Sequence, residues 1–269
     1  MAKKLAFLGA GNMAGALIHG LLQDGYAADN IIASDTLAEK REALAGSGIH
    51  TTDNNCTAAE QADILILAVK PQGLQSLCEE IRPTVEQCKP LVISIAAGVN
   101  EASLQQWLGE NTAIVRTMPN TPAMLQSGAS VLHANSYVSS EQKDDAESIL
   151  RAVGITRWLD DEDLIDAATA LSGSGPAYFF LFMETMQQTA IEMGLPQDTA
   201  HLLTLQTALG AARMAMESSD DAAVLRSKVT SPGGTTEAAI NFMLDNKLPE
   251  TLSNAMLKAR DRSVELSGN

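Results

Sequence analysis

The chain has 269 residues, 45% of them hydrophobic, and a formal net charge of −15. That length suits one large domain or two smaller ones, and the apolar share excludes wholesale disorder. The acidic balance argues against nucleic acid as a partner, which needs clustered Lys and Arg, but leaves room for a small anionic ligand held by local donors.

The elements follow in order. An apolar run over 3–9 passes straight into a glycine turn, too short for a secretory leader. It reads as the first of several buried strands, continued by 30–35, 62–70, 90–98 and 112–119. Helical patterns fill 12–24, 37–45, 71–82 and 101–108. The strands lack polar alternation, as expected of a parallel sheet covered on both faces. A strand at 128–134, a helix near 140–152 and a strand at 155–159 complete an α/β, doubly wound domain over 1–160. From 161 to 269 the style changes to helices only, about 162–171, 175–193, 197–218, 235–245 and 249–266, with Gly194-Leu195-Pro196 as a breaker. The apolar, small-residue surface of 197–218 predicts packing against a second copy. No stretch approaches a membrane span, and a cytoplasmic protein without membrane or nucleic-acid partners is expected. Cys56, Cys78 and Cys88 lack CxxC spacing, so neither disulfides nor a metal site is expected.

Gly9, Gly11 and Ala14 form G-x-G-x-x-A between the first strand and first helix. Gly9 allows the tight turn, Gly11 lets a pyrophosphate approach the backbone, and Ala14 lets helix and strand pack closely. Dinucleotide binding follows. At the end of the second strand, Asp35 suits a ribose 2′-hydroxyl, whereas Ser34, Thr36, Lys40 and Arg41 suit a 2′-phosphate. Both readings stand. His19, His50, His133 and His201 sit outside the motif-rich stretches and read as surface or satisfied core residues. No lysine lies between Lys143 and Lys228. A site without His or Lys suits hydride transfer to a protonated imine better than to a carbonyl, whose alkoxide product wants a strong acid. The stretch Ser231-Pro232-Gly233-Gly234-Thr235-Thr236 opens a helix with hydroxyls and glycines, a start that reads either as a cap or as an anion site.

Four stretches together, FLGAGNMAGAL (7–17), AVKPQ (68–72), RTMPNTPA (116–123) with LSGSGPAYFF (171–180), and SPGGTT (231–236), resemble the pyrroline-5-carboxylate reductases over essentially the whole chain. The resemblance implies a Rossmann domain followed by a helical domain that forms a homodimer, often built into larger rings. It implies reduction of 1-pyrroline-5-carboxylate to L-proline, the last step of proline biosynthesis, by NADPH or NADH. On this view Gly9, Gly11, Asn12 and Met13 line the pyrophosphate, and Ser34 and Asn55 meet the adenosine. Ala68, Val69, Lys70 and Pro71 run past the cofactor, and Asn120 faces the nicotinamide. Ser231, Gly233, Gly234, Thr235 and Thr236 hold the substrate carboxylate without a counter-charge, and Thr169 sits near the imine nitrogen as the catalytic residue. One departure is the segment before SPGG, which lacks a His-Pro-Gly stretch common in the family. The alternatives are another imine or 3-hydroxyacid reductase of the same architecture, and a cofactor-binding protein without turnover.

Overall fold

The computed structural model describes residues 2–267. Eight strands form one sheet, β1 (Leu5–Leu8), β2 (Ile31–Ser34), β3 (His50–Thr52), β4 (Ile64–Leu67), β5 (Leu91–Ser94), β6 (Ile114–Met118), β7 (Gly128–Ala134) and β8 (Gly154–Trp158). Their spatial order is β3-β2-β1-β4-β5-β6-β7-β8. The first six are parallel, β7 runs antiparallel to β6, and β8 runs parallel to β7. Leu5 faces Ile31 on one side and Ile64 on the other. The order of connection therefore reverses beside β1, which is where such sheets bind ligands.

The expected burial on both faces is present. Leu5, Phe7, Ile64, Ile66 and Ile93 point into one core cluster. Their neighbours Ala6, Leu8, Leu65, Leu67 and Val92 point into the other. The helices α1 (Asn12–Gln23), α2 (Ala38–Ala45), α3 (Asn55–Glu60), α4 (Pro71–Cys88), α5 (Glu101–Leu108) and α6 (Ser140–Arg151) alternate with these strands. Helix α4 runs past the expected stop at 82. Pro83 lies inside it on the exposed side, while Ile81 and Val85 are buried, so the ring meets water and the apolar stripe carries on. The short β3 and α3 were absent from the sequence reading.

Helix α7 (Leu164–Ala168) leads into a π-helical turn, Thr169–Gly173, in place of a continuous helix to 171. Beyond it come α8 (Gly175–Glu192), α9 (Gln197–Glu217), α10 (Ala222–Lys228), α11 (Thr235–Asp245) and α12 (Leu248–Leu266). The described residues after 160 contain no strand. Helix α10, also unforeseen, occupies the segment that departs from the family pattern, and the Asp221 side chain caps it by accepting from Val224 N at 2.8 Å.

The chain divides into two compact units, Met1–Ser174 with Ala259–Asn269, and Gly175–Lys258. The first carries the sheet. The end of α12 belongs to it: Ser263 is buried and donates to Asp166 Oδ1 at 2.5 Å. A Cβ added to Gly98 would fall 2.7 Å from Leu266 Cβ. In the second unit α8 and α9 pack side by side, turning at Gly194, whose φ is +100°. This unit buries little of itself. Phe179, Phe180, Leu181, Leu202, Leu203 and Leu209 are each more than half exposed.

Candidate active site

The glycine turn between β1 and α1 is built by two different constraints. Gly9 has φ +105°, a region that disfavours side chains, and an added Cβ would lie 2.7 Å from the Ala68 carbonyl oxygen at the end of β4. Its N–H donates to Ser34 O at 2.8 Å, tying the ends of β1 and β2 together. Gly11 is the N-cap of α1 with an ordinary φ of −80° and no side-chain cap. A Cβ there would meet nothing within 4 Å. The space over the helix start, where Asn12 and Met13 begin the first turn, is thus open to a phosphate, and the N–H groups and helix dipole favour one. Ala14 is 1% exposed, packed as the motif requires.

Asp35 is bonded into the turn after β2. Its Oδ2 accepts from Ala10 N at 3.0 Å and its Oδ1 from Leu37 N at 3.0 Å. Lys40 Nζ lies 3.2 Å from Oδ2, and Arg41 Nη1 donates to the Asp35 carbonyl oxygen at 2.6 Å. Burial pushes this carboxyl up, but the N–H groups of Leu37 and Ala10 and the Lys40 ammonium outweigh it and hold it below the usual range. Ser34 and Asn55 lie together: Ser34 Oγ donates to Asn55 Oδ1 at 2.8 Å, and Asn55 Nδ2 donates to Glu80 Oε2 at 3.0 Å. Ser34 is fully buried, so its hydroxyl fixes Asn55 and does not face outward. Asn55 begins α3, which Asn54 caps through Thr57 N at 2.9 Å.

At the end of β4, Ala68 and Val69 are half-buried and Lys70 is exposed. Lys70 is the N-cap of α4 with extended φ and ψ, and Pro71 occupies the first helical position, where its missing N–H costs nothing. Asn120, after β6, donates from Nδ2 to Ser172 O at 3.0 Å and accepts at Oδ1 from Ala129 N at 2.9 Å. Thr169 opens the π-helical turn, and its hydroxyl donates to Ile165 O at 2.8 Å, which leaves its oxygen lone pairs to accept.

In the second unit, Gly233 has φ +71° and Gly234 is the N-cap of α11, with no side-chain cap. The Ser231 carbonyl accepts from Gly234 N at 3.0 Å. Thr235 and Thr236 form the first turn. One feature passed over in the sequence is Glu237, whose Oε2 accepts from Gly233 N at 2.7 Å. A Glu at the third helical position resembles a capping box in sequence, but it accepts from Gly233, the residue before the N-cap, and the N-cap's own N–H goes to Ser231 O.

A second omission lies under the sheet. Arg116 is 3% exposed and pairs with Glu162 at 2.7 Å, with Asp166 Oδ1 at 3.9 Å. Glu162 Oε1 also accepts from Glu101 N at 2.8 Å, and Glu101 Oε1 lies 2.6 Å from His133 Nδ1. His133 is thus a satisfied, part-buried histidine. An arginine inside an apolar strand is the signal that such a network exists. Among the described residues no group of three or more His, Cys, Asp or Glu is placed to hold a metal ion, and no helix is long and apolar enough to cross a membrane. Burial pushes the Cys78 thiol up to about 12, which leaves it unreactive.

Two family models match. Residues 162–266 match pyrroline-5-carboxylate reductase dimerisation, and residues 4–98 match NADP oxidoreductase coenzyme F420-dependent. A pyrroline-5-carboxylate reductase of Pseudomonas aeruginosa is 49% identical over 98% of this chain and 97% of its own. The structure of a pyrroline-5-carboxylate reductase from Coxiella burnetii superposes with a TM-score of 0.93, at 45% identity and 99% coverage of both chains. That of a Plasmodium falciparum pyrroline carboxylate reductase with NADP bound gives a TM-score of 0.90, at 30% identity and 98% coverage of both.

Proposed function

The chain belongs to the pyrroline-5-carboxylate reductase family, and from that premise we propose how its residues divide the reduction of 1-pyrroline-5-carboxylate to L-proline. It is an NAD(P)H-dependent oxidoreductase of proline biosynthesis and a homo-oligomer. NADPH supplies the hydride when bound. Residues 1–160 carry the dinucleotide and 161–269 carry substrate binding and dimerisation. The observation that supports the cofactor assignment is the open, uncapped start of α1 at Gly11.

Gly9 shapes the turn, and the backbone of Gly11, Asn12 and Met13 receives the pyrophosphate. Asn55, fixed by Ser34, meets the adenosine. Ala68, Val69, Lys70 and Pro71 form the wall past which the nicotinamide end lies, and Asn120 belongs to that end by position. Ser231, Gly233, Gly234, Thr235 and Thr236 receive the substrate carboxylate. The Gly233 and Gly234 N–H groups are bonded to Glu237 and to Ser231 O, so the two glycines give close approach. The N–H groups of Thr235 and Thr236 with the hydroxyls of Ser231, Thr235 and Thr236 are the donors, neutral ones that leave a nearby iminium undisturbed. Thr169 meets the imine nitrogen. Because its hydroxyl proton is directed to Ile165 O, its oxygen accepts the iminium N–H. The nitrogen arrives protonated, the ring carbon takes the hydride, and the C=N π pair stays on nitrogen as the amine lone pair. No side-chain acid is required. A larger ring of dimers and a cytoplasmic location belong to the same proposal, supported by family membership.

The test is loss of reduced-nicotinamide absorbance with 1-pyrroline-5-carboxylate, with NADPH and NADH side by side and Thr236→Val as the variant. The expected result is turnover in the parent and, in the variant, a KM for the imine raised about tenfold with that for NADPH nearly unchanged. Equal effects on both constants count against the carboxylate site. No turnover in folded protein favours a different imine or hydroxyacid substrate, or a protein that binds cofactor without reaction.

A further inference from the structure

Two stretches that lie far apart in the sequence, 116–123 and 171–174, meet in the first unit. The Asn120 carboxamide is committed at both ends, Nδ2 to Ser172 O at 3.0 Å and Oδ1 from Ala129 N at 2.9 Å. The residue is 9% exposed. A carboxamide alone among side chains of this size offers a donor and an acceptor together; aspartate cannot donate and leucine does neither. The same turn is held from a second direction. A Cβ added to Gly173 would lie 2.7 Å from Met118 Cε, so the end of β6 packs directly on the glycine.

What these contacts hold is the π-helical turn Thr169–Gly173, closed by Ser174 N donating to Thr169 O at 2.8 Å. A π turn is less favourable than an α turn and persists where surrounding structure imposes it, commonly at functional sites. We propose that Asn120 is a positioning residue, acting on the reaction through Thr169 by clamping the turn that carries it. This rests on the reading of Thr169 given above. The asparagine is thereby explained without a direct bond to the cofactor, and the joint presence of the two motifs becomes one mechanical requirement.

The experiment uses the full-length enzyme with Asn120→Asp, which keeps the acceptor for Ala129 N–H and deletes the donor to Ser172 O. Gly173→Ala disturbs the turn from the Met118 side with Asn120 intact. In the ligand-free protein, amide exchange at Ser174 is expected to speed up about tenfold or more in both variants. In turnover, kcat is expected to fall about tenfold or more with the KM for NADPH within about twofold of the parent. The double variant Asn120→Asp/Thr169→Val is expected to be no slower than Thr169→Val alone, the non-additivity of two groups on one path. A raised KM for NADPH with unchanged Ser174 exchange overturns the proposal in favour of direct cofactor contact. Additive losses overturn it by showing an effect independent of Thr169. Full turnover in Thr169→Val alone removes the Thr169 reading and this inference with it. Should Asn120→Asp fail to fold, Gly173→Ala and its double with Thr169→Val carry the same three readouts.

Discussion

Gly9 and Gly11 look equivalent in the motif and differ in physics. Gly9 is required by its backbone and by the Ala68 carbonyl, so Gly9→Ala is expected to cost about 2 kcal/mol or more in denaturant unfolding. Gly11 is required only by what lies above it. Gly11→Ala is expected to leave Tm within about 1 °C and to raise the KM for NADPH and NADH; a lowered Tm with unchanged KM would remove Gly11 from the cofactor site. Asp35 is the residue whose role the sequence left open. Bonded to Ala10 N, Leu37 N and Lys40, it sets the shape of the turn. Its folded pKa is depressed, so its stabilisation is present above the ordinary carboxylate value, about pH 4, and is lost as pH falls through the folded value. Asp35→Asn is therefore expected to lower Tm at pH 7, with the gap to the parent closing in acid, and to raise the KM of NADPH and NADH by a similar factor. A loss confined to NADH would return Asp35 to the ribose. Local chemistry made the glycine turn legible. It could not reveal that Asp35 accepts from Ala10 N, because that depends on Ala10 lying beside it on the neighbouring strand end.

At the scale of elements, long periodic segments were readable and short ones were not. Strand β3 has three residues and α3 has six, too few for either period to emerge. The π-helical turn was invisible for a different reason: its sequence reads as ordinary helix, and the departure is imposed by Asn120 and Met118 from elsewhere. The polar network joining α5, β6, β7 and α7 gives this level its own prediction. Burial raises the Glu101 carboxyl, more than His133 beside it lowers it. A raised carboxylate pKa contributes stability fully present below the unfolded value, about 4.3, and lost as pH rises through the folded value. Glu101→Gln is expected to flatten the dependence of Tm on pH from about 4.3 upward. An unchanged slope would show that Glu101 ionises freely in the fold.

For the whole molecule, the second unit accounts for assembly. Helices α10 and α11 bury no residue of their own, and α9 buries only Ala200 and Thr204. The apolar side chains left outside need a second copy, and burying each contributes about 1.5–3 kcal/mol. Tm is expected to rise with protein concentration. Leu203→Glu is expected to weaken association by about 2 kcal/mol or more, read by sedimentation. A monomeric parent with a concentration-independent Tm would contradict this.

The return of residues 259–266 to the first unit has a consequence for biogenesis. The ribosome completes all of 175–258 before it makes the segment that supplies Ser263 to Asp166 and Leu266 to Gly98. All eight strands precede residue 160, so the sheet is complete early, and the seam made by the end of α12 is the part added last. Where a single helix ends thus makes the contacts of Ser263 and Leu266 the last that the first unit receives as the chain is made.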